Sequence, residues 1–224
     1  MLNVAPFRPG IARLGNIARA MSVYDVVEPL HAWAAGYWWR RHGCPVPPPS
    51  AIKRRTLQRY ADRYGLRTLV ETGTYKADTV RALRRSFARI YSIEVDPVLY
   101  HQAVRRCRRQ RNAVLLLGDS ADRLSEVVEA ITEPSLFWLD AHYSGAETGM
   151  ADVETPVMAE LKVILGGAVH GHVILIDDYR EFVSGQADYP SEHAVSDLAR
   201  SMGYLVSQSD DILRLVPAPT EASV

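Results

Sequence analysis

The chain has 224 residues, of which 47% are hydrophobic and 23% are charged, and its formal net charge is zero. These values fit one globular domain with a substantial core, and they exclude a whole-molecule electrostatic attraction to nucleic acid or to an anionic membrane. The two cysteines, Cys44 and Cys107, form no CxxC motif, which argues against a zinc site or a disulfide framework. This cysteine usage, the absence of a signal-type apolar stretch near the N-terminus and the absence of a run of roughly 20 apolar residues predict a cytoplasmic protein without a transmembrane segment.

Residues 1–50 are expected to form an N-terminal helical extension followed by a stiff connector. The region contains three of the four tryptophans and ends in the proline-rich stretch CPVPPPS, 44–50. An amphipathic helix is predicted because apolar residues recur at helical spacing, namely Val23, Val26, Val27, Leu30, Ala34 and Tyr37. This helix could pack on the main domain or on a partner subunit, which would give a homodimer. A substrate lid and an interfacial membrane helix are the alternatives.

From residue 51 to residue 218, strand and helix patterns alternate. The predicted strands are 66–72, 89–95, 113–119, 135–140, 172–177, 204–208 and 212–216, and the predicted helices are 53–64, 77–87, 97–110, 121–131, 153–165 and 192–202. Short apolar strands separated by helices indicate a doubly wound, mostly parallel α/β sheet. The last two strands are expected to form an antiparallel pair at the C-terminus, and residues 219–224 a flexible tail.

Carboxylates stand at or near the ends of all five predicted parallel strands. They are Glu71, Glu94, Asp119, Asp140, Asp177 and Asp178. Because ligands of open parallel sheets bind outside the carboxyl ends of the strands, we expect these side chains to converge in one crevice. A strand-end carboxylate can instead cap the following helix, an alternative that is strongest for Asp119. For Glu94 the alternative is a solvated strand end.

The first strand-to-helix turn, VETGTYKADT at 70–79, limits what this crevice can bind. Gly73 permits a tight turn, but Tyr75 stands where the second glycine of a GxGxxG fingerprint belongs, and a GxxxxGK[ST] loop is absent. Binding of a pyrophosphate is therefore not expected. A nucleoside without one remains possible, and Glu94, about 20 residues further on, could accept hydrogen bonds from its ribose.

Residues 53–216 resemble class I S-adenosylmethionine-dependent methyltransferases. The resemblance rests on the ordered set ETGTY (71–75), IEVDP (93–97), GDS (118–120) and two strands that end in Asp140 and in Asp177-Asp178. It implies a Rossmann-like methyltransferase fold with S-adenosylmethionine as cofactor. Glu71 and Gly73 would line the methionine side of that cofactor and Glu94 would hold the ribose. The further cofactor contacts implied are Thr74, Tyr75 and Asp140, with Asp119 and Ser120 flanking the adenine.

A finer resemblance is to metal-dependent O-methyltransferases of the catechol type and of the macrocin (antibiotic-sugar) type. By this resemblance Asp140, Asp177 and Asp178 would hold Mg²⁺, a hard cation that prefers oxygen ligands and keeps positions open for substrate. The implied acceptor is a small hydroxylated molecule, such as a sugar or a secondary-metabolite intermediate.

The group that would take the acceptor's proton is left open between His142 and Asp140. The catechol type has a lysine at the position of Tyr143, and His142 lies one residue nearer and can titrate near neutral pH. His142 could equally orient Asp140 or pack structurally. Tyr143, Glu154 and Tyr179 are expected to line the acceptor site, although Glu154 could cap the next helix instead.

Two other classes of function remain open. One is a metal-independent methyltransferase acting on RNA or protein, and the other is a non-catalytic binding protein with the same fold. The basic stretch RRCRRQR, 105–111, could contact phosphates, but such a run is more often a solvated helix face, and no aromatic residues are interleaved for base stacking. We therefore do not expect a nucleic-acid partner.

Overall fold

A computed structural model describes residues 24–140, 156–184 and 190–219 of the chain. It divides into two compact units, Met1–Arg55 and Thr56–Val224. The boundary falls inside a helix, and the domain limits expected from the sequence, including the tail 219–224, stay predictions. Within the described residues, no helix is long and apolar enough to cross a bilayer.

The first unit contains the predicted N-terminal helix, α1, which spans Tyr24–Arg41. Its indole-rich end is anchored locally, because Nε1 of Trp39 donates a hydrogen bond to the carbonyl oxygen of Pro45 at 2.7 Å. Two residues of the expected apolar stripe lie on the surface instead, since Leu30 is 70% exposed and Tyr37 is 52% exposed. Helix α2, Ser50–Tyr64, begins in this unit and continues into the second.

The second unit is built on a seven-stranded sheet of order β3-β2-β1-β4-β5-β7-β6. The strands are β1 Thr68–Thr72, β2 Arg89–Glu94, β3 Ala113–Leu117, β4 Leu136–Leu139, β5 Val173–Ile176, β6 Tyr204–Ser209 and β7 Ile212–Pro217. Strands β1 to β5 are parallel, and β7 lies between β5 and β6, antiparallel to both. This confirms the mostly parallel α/β fold and its antiparallel C-terminal pair.

Helices connect the strands on both faces of the sheet. They are α3 Asp78–Leu83, α4 Pro97–Cys107, α5 Ser120–Ala130, α6 Pro156–Gly166, α7 Tyr179–Ser184 and α8 Glu192–Ser201. The short helix α7 has no counterpart among the predicted helices, and α3 is shorter than the expected 77–87. Ala77, in the left-handed region at φ 55°, immediately precedes α3 and sets its first residue.

The central strands β1, β4 and β5 are buried at every residue. This matches the continuous apolar sequences of β4 and β5, whereas β1 also buries Thr68, Glu71 and Thr72. Among the fully buried side chains are Leu69, Phe137 and Ile174, and each such side chain contributes about 1.5–3 kcal/mol through removal from water. Strands β4 and β5 end before their aspartates, so Asp140 and Asp177 begin the loops beyond the sheet. A rigid core thus fixes where these loops start.

Candidate active site

The loops after β1, β4 and β5 lie side by side because these strands are neighbours in the sheet. The strand order reverses between β1 and β4, and such a switch point is where open α/β sheets bind their ligands. Gly73 begins the loop after β1 at φ +88°, and a Cβ placed there would lie 3.1 Å from the Cβ of Asp140. Any side chain at position 73 would therefore meet the loop after β4, which explains the glycine.

Three aspartates form an acidic cluster at this edge of the sheet. Asp140, Asp177 and Asp178 each offer a carboxylate oxygen, and these oxygens all lie within 4.8 Å of one another. Asp177 and Asp178 are buried and Asp140 is half-buried. The backbone N–H of Asp178 donates to Oδ1 of Asp177 at 2.8 Å, which holds the two neighbours in a fixed relation. An all-oxygen donor set at this spacing fits a hard divalent cation such as Mg²⁺.

Arg180 contacts the acidic cluster, and the sequence analysis missed it. Its Nη1 lies 2.8 Å from Oδ1 of Asp178 and also contacts Oδ2 of Asp211 in the turn between β6 and β7. Burial alone would lower the pKa of Arg180, but the two carboxylates outweigh it and the net shift of the pKa is upward. The arginine directly follows the Asp-Asp-Tyr sequence and was visible there, whereas Asp211 becomes a neighbour only through the pairing of β7 with β5.

On the β1–β2 side of the crevice, Glu71 is buried in a chain of hydroxyl hydrogen bonds. Oγ of Ser92 lies 2.7 Å from Oε2 of Glu71 and 2.7 Å from Oγ1 of Thr74. Burial raises the pKa of Glu71 to about 8, although hydrogen bonds from Ser92 and Thr79 work in the opposite direction. Glu71 is therefore largely protonated at neutral pH, and this chain ties the end of β1 to β2.

Glu94 is not a solvated strand end, since only 6% of it is exposed. Its Oε2 accepts the backbone N–H of Tyr75 at 2.6 Å, and its Oε1 accepts that of Asp96 at 3.0 Å. Each oxygen keeps lone-pair capacity for a further donor. The carboxylate thus shapes the loop that carries Tyr75, and its expected contact with a ribose stays a prediction.

Asp119 caps helix α5, as one of the two alternatives predicted. Its Oδ1 accepts the backbone N–H of Ala121 at 2.8 Å. This satisfies one of the free donors at the helix start. A carboxylate can cap a helix and still border a ligand, so the expected contact of Asp119 with the adenine also stays a prediction.

Glu160 is a second residue that the sequence analysis missed. It lies on α6, is 2% exposed, and hydrogen-bonds with the hydroxyls of Ser120 and Thr72, while its Oε2 has no partner among the described residues. Burial raises its pKa to about 7, with smaller contributions from Asp119 and Asp140. The available signal was the single acidic residue of the helix PVMAELKVILG, in which Lys162 is the other charged residue.

The comparisons with known proteins bear on this geometry. No protein-family model matches the chain, and no curated protein sequence matches it. The structure is similar to the O-methyltransferase TomG from Streptomyces achromogenes, solved with S-adenosylmethionine, at 18% identity, 84% coverage of this chain, 89% of that chain and a TM-score of 0.51. It is also similar to an O-methyltransferase from Bacillus cereus, solved with S-adenosylhomocysteine, at 15% identity, 83% and 90% coverage and a TM-score of 0.52. The chain has the fold of the S-adenosylmethionine-dependent methyltransferases.

The predicted acceptor-site residues of this methyltransferase fold are only partly covered by the structure. His142, Tyr143 and Glu154 lie outside the described residues. Tyr179 begins α7, and its hydroxyl donates to Oε2 of Glu192 at 2.6 Å, a bond that raises the pKa of Tyr179. The described part of the site therefore brings Asp140, Asp177 and Asp178 together beside Gly73, and it engages Tyr179 with helix α8.

Proposed function

We propose that this protein is an S-adenosylmethionine-dependent methyltransferase that methylates a hydroxyl group of a small molecule with the help of Mg²⁺. The observation that carries the proposal is the cluster of Asp140, Asp177 and Asp178, whose carboxylate oxygens lie within 4.8 Å of one another. This cluster stands at the switch point of a methyltransferase fold and borders the loop at Gly73, so a cofactor and a cation would be neighbours.

The cofactor would supply an activated methyl group on its sulfonium. Glu94 has lone pairs left for ribose hydroxyls after accepting two backbone N–H groups. Gly73 lacks a Cβ and lets a ligand approach the backbone at the end of β1, beside Thr74 and Tyr75. Asp119 and Ser120, at the start of α5, would border the adenine, which completes the set that we assign to cofactor binding.

Asp140, Asp177 and Asp178 would hold the cation. When bound, Mg²⁺ supplies positive charge that lowers the pKa of an acceptor hydroxyl and orients the oxygen. Three carboxylate ligands leave room for acceptor oxygens within an octahedral set, which favours an acceptor with two adjacent hydroxyl groups. Sugars and secondary-metabolite intermediates contain this arrangement.

The acceptor hydroxyl must lose a proton as its oxygen attacks the methyl carbon. We propose that the carboxylate of Asp140, which borders Gly73, or the imidazole of His142, two residues further along the chain, accepts this proton. Tyr143, Glu154 and Tyr179 are the proposed walls of the acceptor site. Much of the remaining rate acceleration would come from positioning the two reactants.

A metal-independent methyltransferase is the second candidate, because a cationic group already contacts the acidic cluster. Arg180 lies 2.8 Å from Asp178, so part of the negative charge is neutralised by the chain itself. In that case Asp140 or His142 would remove the proton without help from a cation.

A product assay distinguishes these candidates. The protein is incubated with methyl-labelled S-adenosylmethionine and a panel of sugars and catechols with adjacent hydroxyls, in Mg²⁺ or in EDTA. We expect a methyl ether that disappears in EDTA and in Asp177→Ala, but persists in Asp197→Ala, which removes an exposed carboxylate of α8. Product that survives EDTA supports the metal-independent candidate, and failure to bind the cofactor contradicts both.

We also propose that the protein is cytoplasmic and that α1 forms a homodimer contact. The exposed apolar residues Leu30, Trp33 and Tyr37 share one face of this helix, and the rings of Trp33 and Tyr37 stack with centroids 5.8 Å apart. A dimer in sedimentation analysis that Trp33→Glu converts to a monomer is the expected result. A monomeric parent protein would contradict the contact.

A further inference from the structure

Arg180 links the acidic cluster to a distant part of the chain. Its guanidinium contacts Oδ1 of Asp178 at 2.8 Å on one side and Oδ2 of Asp211 on the other. The arginine side chain is 33% exposed, whereas the side chains of Asp178 and Asp211 are 5% and 1% exposed. The buried carboxylate of Asp178 therefore shares the partly exposed guanidinium of Arg180 with the buried carboxylate of Asp211.

Asp211 reaches this position through the sheet topology. Strand β7 runs antiparallel to β5, with Leu213 opposite Ile176, so the turn before β7 lies beside the loop that follows β5. Asp211 is fastened to α7 by its main chain as well, because its carbonyl oxygen accepts the N–H of Tyr179 at 2.9 Å. Its Oδ1 accepts the backbone N–H of Arg180 at 2.9 Å. These contacts fix the start of α7.

The contacts around Arg180 also determine how Asp178 is presented. Asp178 has φ 55°, in the left-handed region that residues with a Cβ adopt only when their surroundings impose it. The N–H of Asp178 is bound to Asp177 and its Oδ1 to Arg180, so both ends of the residue are held. These two contacts contribute to its orientation toward Asp140 and Asp177.

We propose that Arg180 and Asp211 are positioning residues that set the affinity of the acidic cluster for a divalent cation. Arg180 orients Asp178 and competes with the cation for its carboxylate. Asp211 draws Arg180 away from the cluster by sharing its guanidinium. The inference rests on the proposed cation site and deepens it. Neither Arg180 nor Asp211 needs to touch the cation, the cofactor or the acceptor.

The two residues are expected to act in opposite directions. Without Arg180 the cluster loses an adjacent positive charge, so a divalent cation is attracted more strongly. Without the charge of Asp211, Arg180 keeps only Asp178 and Glu181 as carboxylate partners among the described residues, and it screens the cluster more completely. A purely structural role would weaken cation binding in both variants or change it in neither.

Calorimetric titration of Mg²⁺ into the full-length protein, without cofactor or acceptor, tests this inference. We expect Arg180→Gln to tighten binding by about three- to tenfold and Asp211→Asn to weaken it by a similar factor. The control is Arg200→Gln, which removes one positive charge from the exposed Arg200–Asp197 pair on α8 and leaves the affinity unchanged. Thermal unfolding by circular dichroism establishes that each variant is folded.

The outcomes separate this inference from the proposed function. Tighter binding in Arg180→Gln supports it, including the case in which the parent protein binds no Mg²⁺ and the variant does. Unchanged or weaker binding in Arg180→Gln, while the parent binds Mg²⁺, overturns the inference and leaves the cation site standing. No binding in either protein overturns both. If Arg180→Gln does not fold, unchanged affinity in Asp211→Asn overturns the inference.

Discussion

The carboxylates at or just beyond the carboxyl ends of strands β1, β2 and β3 differ from those that follow β4 and β5, although the sequence presents them alike. In the first group, each carboxylate accepts hydrogen bonds from its own surroundings: Glu71 from Ser92, Glu94 from two backbone N–H groups, Asp119 from Ala121. In the second group, the carboxylates stand close to one another and to one arginine. The first group therefore shapes loops, and the second concentrates negative charge.

This difference shows that a strand-end carboxylate has no fixed role. Its role depends on whether nearby N–H and O–H donors outnumber nearby carboxylates. Where donors dominate, hydrogen bonds hold the carboxylate to the loop or helix start beside it. Where carboxylates dominate, their mutual repulsion favours a nearby positive charge, and Arg180 supplies one. The following predictions test how separate the two groups are.

The largest effect is expected from Glu160, which lies between the two groups and hydrogen-bonds with Ser120 and Thr72. Its folded-state pKa of about 7 exceeds the ordinary value of 4.5. Between these values the folded protein keeps a proton that the unfolded chain has lost, so the free energy of unfolding falls as the pH rises through this window. This contribution of Glu160 to the free energy of unfolding is fully present below pH 4.5 and is lost above pH 7.

Glu160→Gln mimics the protonated carboxyl, so the fall in unfolding free energy that Glu160 causes between pH 4.5 and pH 7 should be absent from this variant. We expect the variant to exceed the parent protein in unfolding free energy by on the order of 3 kcal/mol at pH 8, with the difference vanishing at pH 4. Denaturant unfolding at several pH values measures it. Glu129→Gln, at an exposed position of α5, is the control and should leave the pH profile unchanged. A constant difference between Glu160→Gln and the parent across pH would contradict the raised pKa.

A smaller effect is expected from Gly73→Ala. Position 73 lies where the loop after β1, in the first group, contacts Asp140, in the second group. The alanine would have to adopt φ +88°, and its Cβ would lie 3.1 Å from the Cβ of Asp140. We therefore expect the unfolding free energy to fall by about 2 kcal/mol or more. Both cofactor and cation binding should weaken as Asp140 shifts. Gly203→Ala is a matched control, since Gly203 has φ +79° and nothing lies within 4 Å of its Cβ position.

Comparison of the two glycine variants isolates the contact with Asp140 from backbone strain. We expect Gly203→Ala to cost about 1 kcal/mol through strain alone and to leave ligand binding unchanged. If Gly73→Ala destabilises no more than this control and binds both ligands normally, the two loops are not in the close contact that the structure shows.

The smallest effect is expected from the cap of helix α5. Asp119→Ala should lower the unfolding free energy by about 1 kcal/mol, whereas Asp119→Asn should preserve the cap. Neither change should alter Mg²⁺ affinity, because Asp119 belongs to the first group. A cofactor affinity that falls in Asp119→Ala and recovers in Asp119→Asn would assign Asp119 to loop geometry. A loss in both would show that its charge matters to the ligand, and a changed Mg²⁺ affinity would break the division between the groups.

The sequence predicted the mostly parallel sheet and the proximity of Asp140, Asp177 and Asp178 for physical reasons. Short apolar runs separated by helical stretches indicate buried strands, and parallel strands bring their carboxyl ends to one edge. The predicted strand-end positions of Asp140 and Asp177 are within one residue of the observed strand ends.

Other features depended on contacts that local pattern does not encode. Asp211 meets Arg180 only because β7 inserts between β5 and β6, which brings together residues 31 positions apart. From the sequence alone, Glu160 is expected on the exposed side of α6, and only the structure shows that its side chain is buried. The close approach of Gly73 to Asp140 required the pairing of β1 with β4, which the sequence did not specify.

The separate roles of the two groups are tested most directly by calorimetric titrations of S-adenosylmethionine and of Mg²⁺ into Glu94→Ala and Asp177→Ala. We expect Glu94→Ala to weaken cofactor binding by about 100-fold or more and to leave the Mg²⁺ affinity within about twofold of the parent value. We expect Asp177→Ala to do the reverse. If either substitution abolishes both binding events in a folded protein, or if neither changes its assigned ligand, the two groups of carboxylates do not have the separate roles assigned to them.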